Sequence, residues 1–179
     1  MRAFLAIPIP DETTEALVRL QSAIPVGKPV PEENLHLTLA FLDVAPDAAL
    51  EDLHEMLEAL RAAPVEIRFT ELDSFTELER GLVFAAVERT DALQAVHDRV
   101  AGLCRVAGLD LPRRRFRPHV TLMRARRQPA GPDRDRLAAM LGPVPGLPGF
   151  TARAMTLYRS TLTPRGALHE PLASYPLSG

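Results

Sequence analysis

Two hydrophobic periods alternate along the chain. Runs at 2–9, 35–42, 65–72, 81–88, 115–124, 150–160 and 168–175 are apolar or alternate with polar residues, as strands do. Between them apolar residues recur every three or four positions: Leu17, Leu20 and Ile24; Leu50, Leu53, Leu57 and Leu60; Leu93, Val96, Val100 and Leu103. That spacing predicts helices from Asp11 to about Ala23, from Pro46-Asp47 onward, and from Thr90-Asp91 to a stop near Gly108. A shorter helix is expected near 133–141. Asp11 and Thr90-Asp91 are the expected N-caps. Proline breaks the connection at 25–31, and a Gly/Pro-rich link spans 142–149. An order that mixes hairpins with helices favours α+β with antiparallel sheets over a doubly wound parallel sheet. The 179 residues suit one domain, or two small intimately packed lobes.

Two strands carry the same tetrad, His36-Leu37-Thr38-Leu39 and His119-Val120-Thr121-Leu122. Alternate side chains of a strand share a face, so each His and Thr stand together while Leu37, Leu39, Val120 and Leu122 face a core. One His-x-Thr on a half-buried strand is an ordinary polar face. Two copies 83 positions apart, close to half the chain, suggest a duplicated unit. The expected organisation is a single domain, 1–179, of two pseudo-symmetric lobes that bring the two histidines across one cleft.

Composition changes this picture little. Apolar content of 46% supports a real core, and a net charge of −2 leaves any anion recognition to a local patch. Such a patch exists: Arg113, Arg114, Arg115, Arg117, Arg124, Arg126 and Arg127 fall within fifteen residues around His119. Guanidinium groups suit phosphate oxygens through paired hydrogen bonds; the plainer reading is a solvated strand edge. Cys104 is the single cysteine, which rules out an internal disulfide and reads as a small buried side chain. Pro8 and Pro10 interrupt the apolar start, which is too short to span a bilayer, so a cytoplasmic protein without membrane contact is expected. His54, His97 and His169 are expected to be bystanders.

Two facing imidazoles, each with an ordinary pKa near ~6.5, can serve as general base and general acid. A threonine hydroxyl on the same face can donate to an anionic oxygen. A strained cyclic phosphodiester needs nothing more, neither metal nor cofactor. The phosphate-binding glycine loops, the Gly-x-Ser-x-Gly elbow and the His-Glu-x-x-His zinc motif are absent.

These residues resemble the two-histidine phosphoesterases, and within them the bacterial and archaeal RNA 2′,3′-cyclic phosphodiesterases, historically called 2′-5′ RNA ligases. The resemblance rests on Pro-Glu-Glu-Asn-Leu-His-Leu-Thr-Leu at 31–39, Phe-Arg-Pro-His-Val-Thr-Leu at 116–122, the opening Arg-Ala-Phe-Leu-Ala-Ile-Pro-Ile-Pro and the closing Leu157-Tyr158-Arg159-Ser160. It implies two antiparallel sheets flanking a central cleft, with helices outside. It also implies metal-independent opening of an RNA terminal 2′,3′-cyclic phosphate to a 2′-phosphate, with reversible 2′-5′ ligation as an associated reaction. By the same resemblance His36 is the proton donor, His119 the proton acceptor, and Thr38, Thr121, Arg124 and Phe41 hold the substrate. Plain alternation sets Phe41 and Arg124 on the face opposite the histidines; a twist, a bulge or a reach from the rim would be needed. Ala40, Asp43 and the lack of a tryptophan before Pro31 depart from the family pattern. RNA ends bearing the cyclic phosphate are the expected partners of a monomer. Other readings are a non-catalytic RNA-end binding module, or a related enzyme for a small cyclic nucleotide or ADP-ribose cyclic phosphate.

Overall fold

The computed structural model describes residues 1–75, 81–112, 115–164 and 166–179. Among the described residues four helices alternate with antiparallel strands, as the hydrophobic periods predict. Strand β1 (Arg2–Pro8) leads to helix α1 (Asp11–Ala23) and the two-residue β2 (Lys28–Pro29). A single 3-10 turn at Glu32–Asn34 precedes β3 (His36–Val44), followed by α2 (Asp47–Glu58). Then come β4 (Val65–Ile67), β5 (Phe69–Phe75), β6 (Leu82–Val87), α3 (Asp91–Val106) and β7 (His119–Arg124). Helix α4 (Gly131–Met140), β8 (Gly142–Pro143), β9 (Phe150–Ala152), β10 (Ala154–Thr163) and β11 (Gly166–Pro176) complete the chain.

Among the described residues the main sheet runs β11-β10-β1-β3-β7-β6-β5-β8, with β2 alongside β7. Its two antiparallel halves meet at β3 and β7 through one residue pair, Leu37 opposite Val120. Apolar stripes of the helices seat on it: Leu17 of α1, Leu50, Leu53 and Leu57 of α2, and Leu93, Val96 and Val100 of α3 are all buried. Two expected strands are split. Chain 65–75 divides at Arg68 and chain 150–163 at Arg153, so that β4 and β9 pair as a separate ribbon while β5 and β10 join the main sheet. Hydrophobic alternation alone does not report which sheet a strand joins. The second motif strand starts at His119 and not at 115, because Pro118 has no N–H to give to a ladder. Thr90 caps α3, its Oγ1 accepting from the Leu93 N–H at 3.2 Å. Asp11 does not cap α1: Pro10 takes the cap position, and Asp11 instead lies in the first turn, where a carboxylate favours the helix dipole.

Near the end of β3, Asp43 has φ of +48°. Arg2 holds its carboxylate through two hydrogen bonds of 3.0 and 3.1 Å. Left-handed backbone costs an ordinary side chain about 1–2 kcal/mol, and an exposed ion pair returns about 0–1 kcal/mol. Asp43→Gly is therefore expected to leave stability within about 1 kcal/mol of the parent, since strain relief offsets the lost pair. Asp43→Ala loses the pair and keeps the strain, so it is expected to cost about 1 kcal/mol. Denaturant titration of both variants checks the difference.

Candidate active site

Leu37 and Val120, the pair joining the sheet halves, are fully buried. In an antiparallel pair opposed residues share one face and their neighbours take the other. His36 and Thr38 therefore emerge beside His119 and Thr121, all four around a single junction and all partly exposed. Each histidine is also paired with the neighbouring strand of its own half, His36 opposite Pro8 of β1 and His119 opposite Ala86 of β6.

A bulge in each strand brings up the two residues that alternation had set on the core side. Pairing of β3 with β1 passes from Thr38 to Ala40 over one step of β1, leaving Leu39 extra. Pairing of β7 with β6 passes likewise from Thr121 to Met123, leaving Leu122 extra. Leu39 and Ala40 are both buried, as are Leu122 and Met123, and the parity beyond them reverses. Phe41 and Arg124 consequently return to the histidine face, each in exposed positions. The extra residue lies three places after each histidine.

The bulge in β7 has its own clamp. Leu122 O accepts from the Val30 N–H and from Gln21 Nε2, both at 2.8 Å, and Gln21 Nε2 also donates to Val30 O at 2.9 Å. Gln21 is buried on α1. Its one sequence signal is a polar side chain four residues after Leu17, on the apolar stripe.

Both imidazoles are oriented in the same way. His36 Nδ1 lies 2.8 Å from Asn34 O, and His119 Nδ1 lies 2.6 Å from Arg117 O. A carbonyl oxygen only accepts, so each Nδ1 carries the hydrogen and each Nε2 is left to exchange a proton. Each ring also packs on a phenylalanine of the neighbouring strand, Phe4 at 4.7 Å from His36 and Phe84 at 5.0 Å from His119, centroid to centroid.

Burial pushes the His36 pKa down to about 4; the hydrogen bond to Asn34 acts upward, and charge on His169, Arg124 and His119 adds to the fall. Burial likewise holds His119 below its ordinary value, opposed by its bond to Arg117 and reinforced by the charges of Arg117 and Arg124. Both are neutral at pH 7 without a ligand. Arg124 is exposed by surface area, yet its neighbours crowd it enough for burial to lower its pKa. The guanidinium stays charged throughout, and its charge reaches His36, His119 and His169. Among the described residues no carboxylate shifts these three histidines. The face is built for an anion.

His169, expected to be a bystander, lies beside His36. Its ring stands edge-on to His36 with centroids 5.4 Å apart, and edge-on to Phe4 at 4.8 Å. Asn34, whose carbonyl orients His36, donates from Nδ2 to Ala167 O at 2.8 Å and so ties the β10–β11 hairpin to this corner. The residues are 133 positions apart, and nothing in the sequence spacing pairs them. His54 and His97 have other partners: His54 Nδ1 lies 2.9 Å from Tyr175 Oη, and His97 stacks on Phe116 at 3.9 Å. In the arginine patch, Arg117 lies 4.9 Å over the Phe75 ring and 3.6 Å from Asp73. Arg115, Arg126 and Arg127 are exposed, and Arg113 and Arg114 fall outside the described residues. Among the described residues no three His, Cys, Asp or Glu side chains gather as metal ligands would. No helix among them is long and apolar enough to cross a membrane.

A protein of Thermus thermophilus named RNA 2′,3′-cyclic phosphodiesterase is 33% identical over 194 residues, covering all of this chain and 91% of that one. One of the same name from Geobacillus stearothermophilus is 30% identical over 187 residues; the match takes 98% of this chain but only 57% of that relative's length. Among solved structures, TT0787 of Thermus thermophilus superposes with a TM-score of 0.82 at 30% identity, covering 100% of this chain and 99% of that one. Apo LigT of E. coli shares the fold, with a TM-score of 0.79 at 24% identity over 99% and 98% of the two chains. The profile of the 2′-5′ RNA ligase superfamily matches residues 9–163, and this chain belongs to that family.

Proposed function

We propose that this chain hydrolyses the 2′,3′-cyclic phosphate at an RNA terminus to a 2′-phosphate, with His36 and His119 as paired acid and base. The observation that carries the reading is the pair of imidazoles at one strand junction, each with Nδ1 bound to a carbonyl and Nε2 without a hydrogen-bond partner among the described residues. The relatives' name supports the substrate class. Arg124, Thr38 and Thr121 hold the non-bridging phosphate oxygens, and Phe41 packs against the nucleotide. His119 Nε2 takes a proton from water as its oxygen bonds to phosphorus. The P–O3′ bond breaks, and His36 Nε2 gives its proton to the departing 3′ oxygen. A 5′-hydroxyl in place of water gives a 2′-5′ linkage by the same transfers. All these side chains come from one chain, so a monomer suffices.

A donor with a pKa of about 4 carries no proton on its Nε2 at pH 7. The substrate supplies the remedy, because an anion beside an imidazole favours its charged form. Binding of adenosine 2′-monophosphate near pH 7 is therefore expected to take up a proton, detected calorimetrically in buffers of different ionisation enthalpy. The bell of kcat/KM, which reports the free protein, is expected to centre below ~6.5, the ordinary imidazole value, and the bell of kcat to lie higher. Coincident bells centred above neutrality would contradict this linkage.

The function itself is tested by turnover of a short RNA ending in the cyclic phosphate, in excess chelator and without ATP. The expected product is the 2′-phosphate. Restoration by a divalent ion after chelation would overturn the metal-free mechanism. Binding without turnover would favour an RNA-end binding module, and preference for a mononucleotide or ADP-ribose cyclic phosphate would move the substrate class.

A further inference from the structure

We propose that His169 is a nucleoside contact of this site, meeting the ribose or base of the nucleotide whose 3′ oxygen departs. The inference rests on the reading of His36 as donor to that oxygen. In a displacement at phosphorus the entering and departing oxygens stand roughly in line, on opposite sides. With water activated at His119, the departing oxygen and its ribose lie on the His36 side, away from β7. In sheet order that direction leads through β1 and β10 to β11.

The side chains that meet His36 from that direction are Phe4, Tyr158 and His169. Phe4 is buried, with Tyr158 stacked on it at 5.1 Å, so these two form a floor. His169 stands perpendicular to His36, within 1° of a right angle. Three strand spacings, about 14 Å in a flat sheet, separate β3 from β11. The rings nonetheless meet at 5.4 Å, and the Asn34–Ala167 bond holds the hairpin over this corner.

The ring has hydrogen-bonding capacity that the fold leaves unused. Its Nδ1 is buried and has no hydrogen-bond partner among the described residues. A buried polar atom left in that state is costly, and such atoms in native proteins call for a ligand, water or functional explanation. A half-turn about χ2 places apolar Cδ2 in that position and frees Nδ1 for a partner. Neither proton transfer of the proposed reaction requires this third imidazole. Burial, then the charge of Arg124, hold its pKa below the ordinary value, so it is neutral near pH 7. A neutral imidazole has one donor and one acceptor, which suits a hydroxyl or a base edge better than a second phosphate.

The test compares the affinity of adenosine 2′-monophosphate with that of inorganic phosphate in the wild type, His169→Phe and His169→Gln. The phenylalanine keeps the ring and removes both nitrogens. One lost hydrogen bond is expected to weaken the nucleotide about two- to tenfold and leave phosphate unchanged, and the glutamine is expected to recover part of the loss. A purely structural role would move both ligands together, which overturns the inference, as does an unmoved ratio. Turnover of the cyclic ester by the wild type separates the two levels. With turnover intact and the ratio unmoved, only the His169 inference falls; with no turnover, the proposed function falls and the inference with it. If Phe75→Leu, beside His119, shifts the ratio and His169→Phe does not, the nucleoside lies on the other side and the inference is overturned.

Discussion

His36→Ala and His119→Ala are each expected to slow single-turnover hydrolysis of an RNA cyclic phosphate by about 10²–10⁴, the usual contribution of one positioned acid or base. The double variant is expected to be barely slower than either single one, because both groups serve one displacement and the loss of one leaves the other little to do. Both side chains are partly exposed on the face away from the core, so their truncation leaves no large cavity. The pH dependence of stability gives an independent check. Folding lowers the His36 pKa from an unfolded value near ~6.5 to about 4, so the unfolded chain binds more protons between these values. Stability from this source is complete above the unfolded value and falls as pH drops through that window. His36→Ala removes this loss, and its acid unfolding is expected to begin at lower pH than in the parent. A rate loss under about tenfold in a folded single variant, well below that range, would separate the histidines from the chemistry.

Arg124→Ala is expected to reduce kcat/KM about 10- to 150-fold, the equivalent of a hydrogen bond to a charged group worth about 1.5–3 kcal/mol. Among the described arginines of the patch, Arg117 reaches His119 but Arg124 alone reaches all three histidines of the site. Arg127→Ala, by comparison, is expected to act only through a modest, salt-dependent affinity. The aim of Arg124 depends on the Leu122 bulge, and the bulge carbonyl is held by Gln21. Gln21→Leu removes both donated bonds and leaves Val30 O without that partner, at a cost of about 1–3 kcal/mol in stability. In the Arg124→Ala background the same substitution is expected to add little to the loss of phosphate affinity, though it still lowers stability. Full additivity in phosphate affinity would show that Gln21 does not act through Arg124.

The histidines, the threonines and the α+β order were legible because strands and helices impose fixed periods on side-chain direction, and these tetrads obey the strand period. Phe41 and Arg124 were legible only through family resemblance. Alternation sets both on the wrong face, and a bulge leaves no mark in a strand as uniformly apolar as Leu39-Ala40 or Leu122-Met123. His169 and Gln21 could not be placed at all. Their partners lie 133 and 101 residues away, and only sheet order and the reach of the β10–β11 hairpin bring them together. Asp11 illustrates a local limit: Asp is an ordinary cap, but Pro10, with its fixed φ of −71°, already occupies the cap position.

The division of labour between the histidines is tested most directly by a leaving group that needs no proton. In an RNA cyclic ester with sulfur in place of the 3′ oxygen, the departing thiolate is stable without an acid. His36→Ala is expected to hydrolyse this substrate at close to the wild-type rate, while His119→Ala stays slow on both the sulfur and the oxygen ester. Equal slowing of His36→Ala on both esters would contradict its role as the proton donor to the departing 3′ atom.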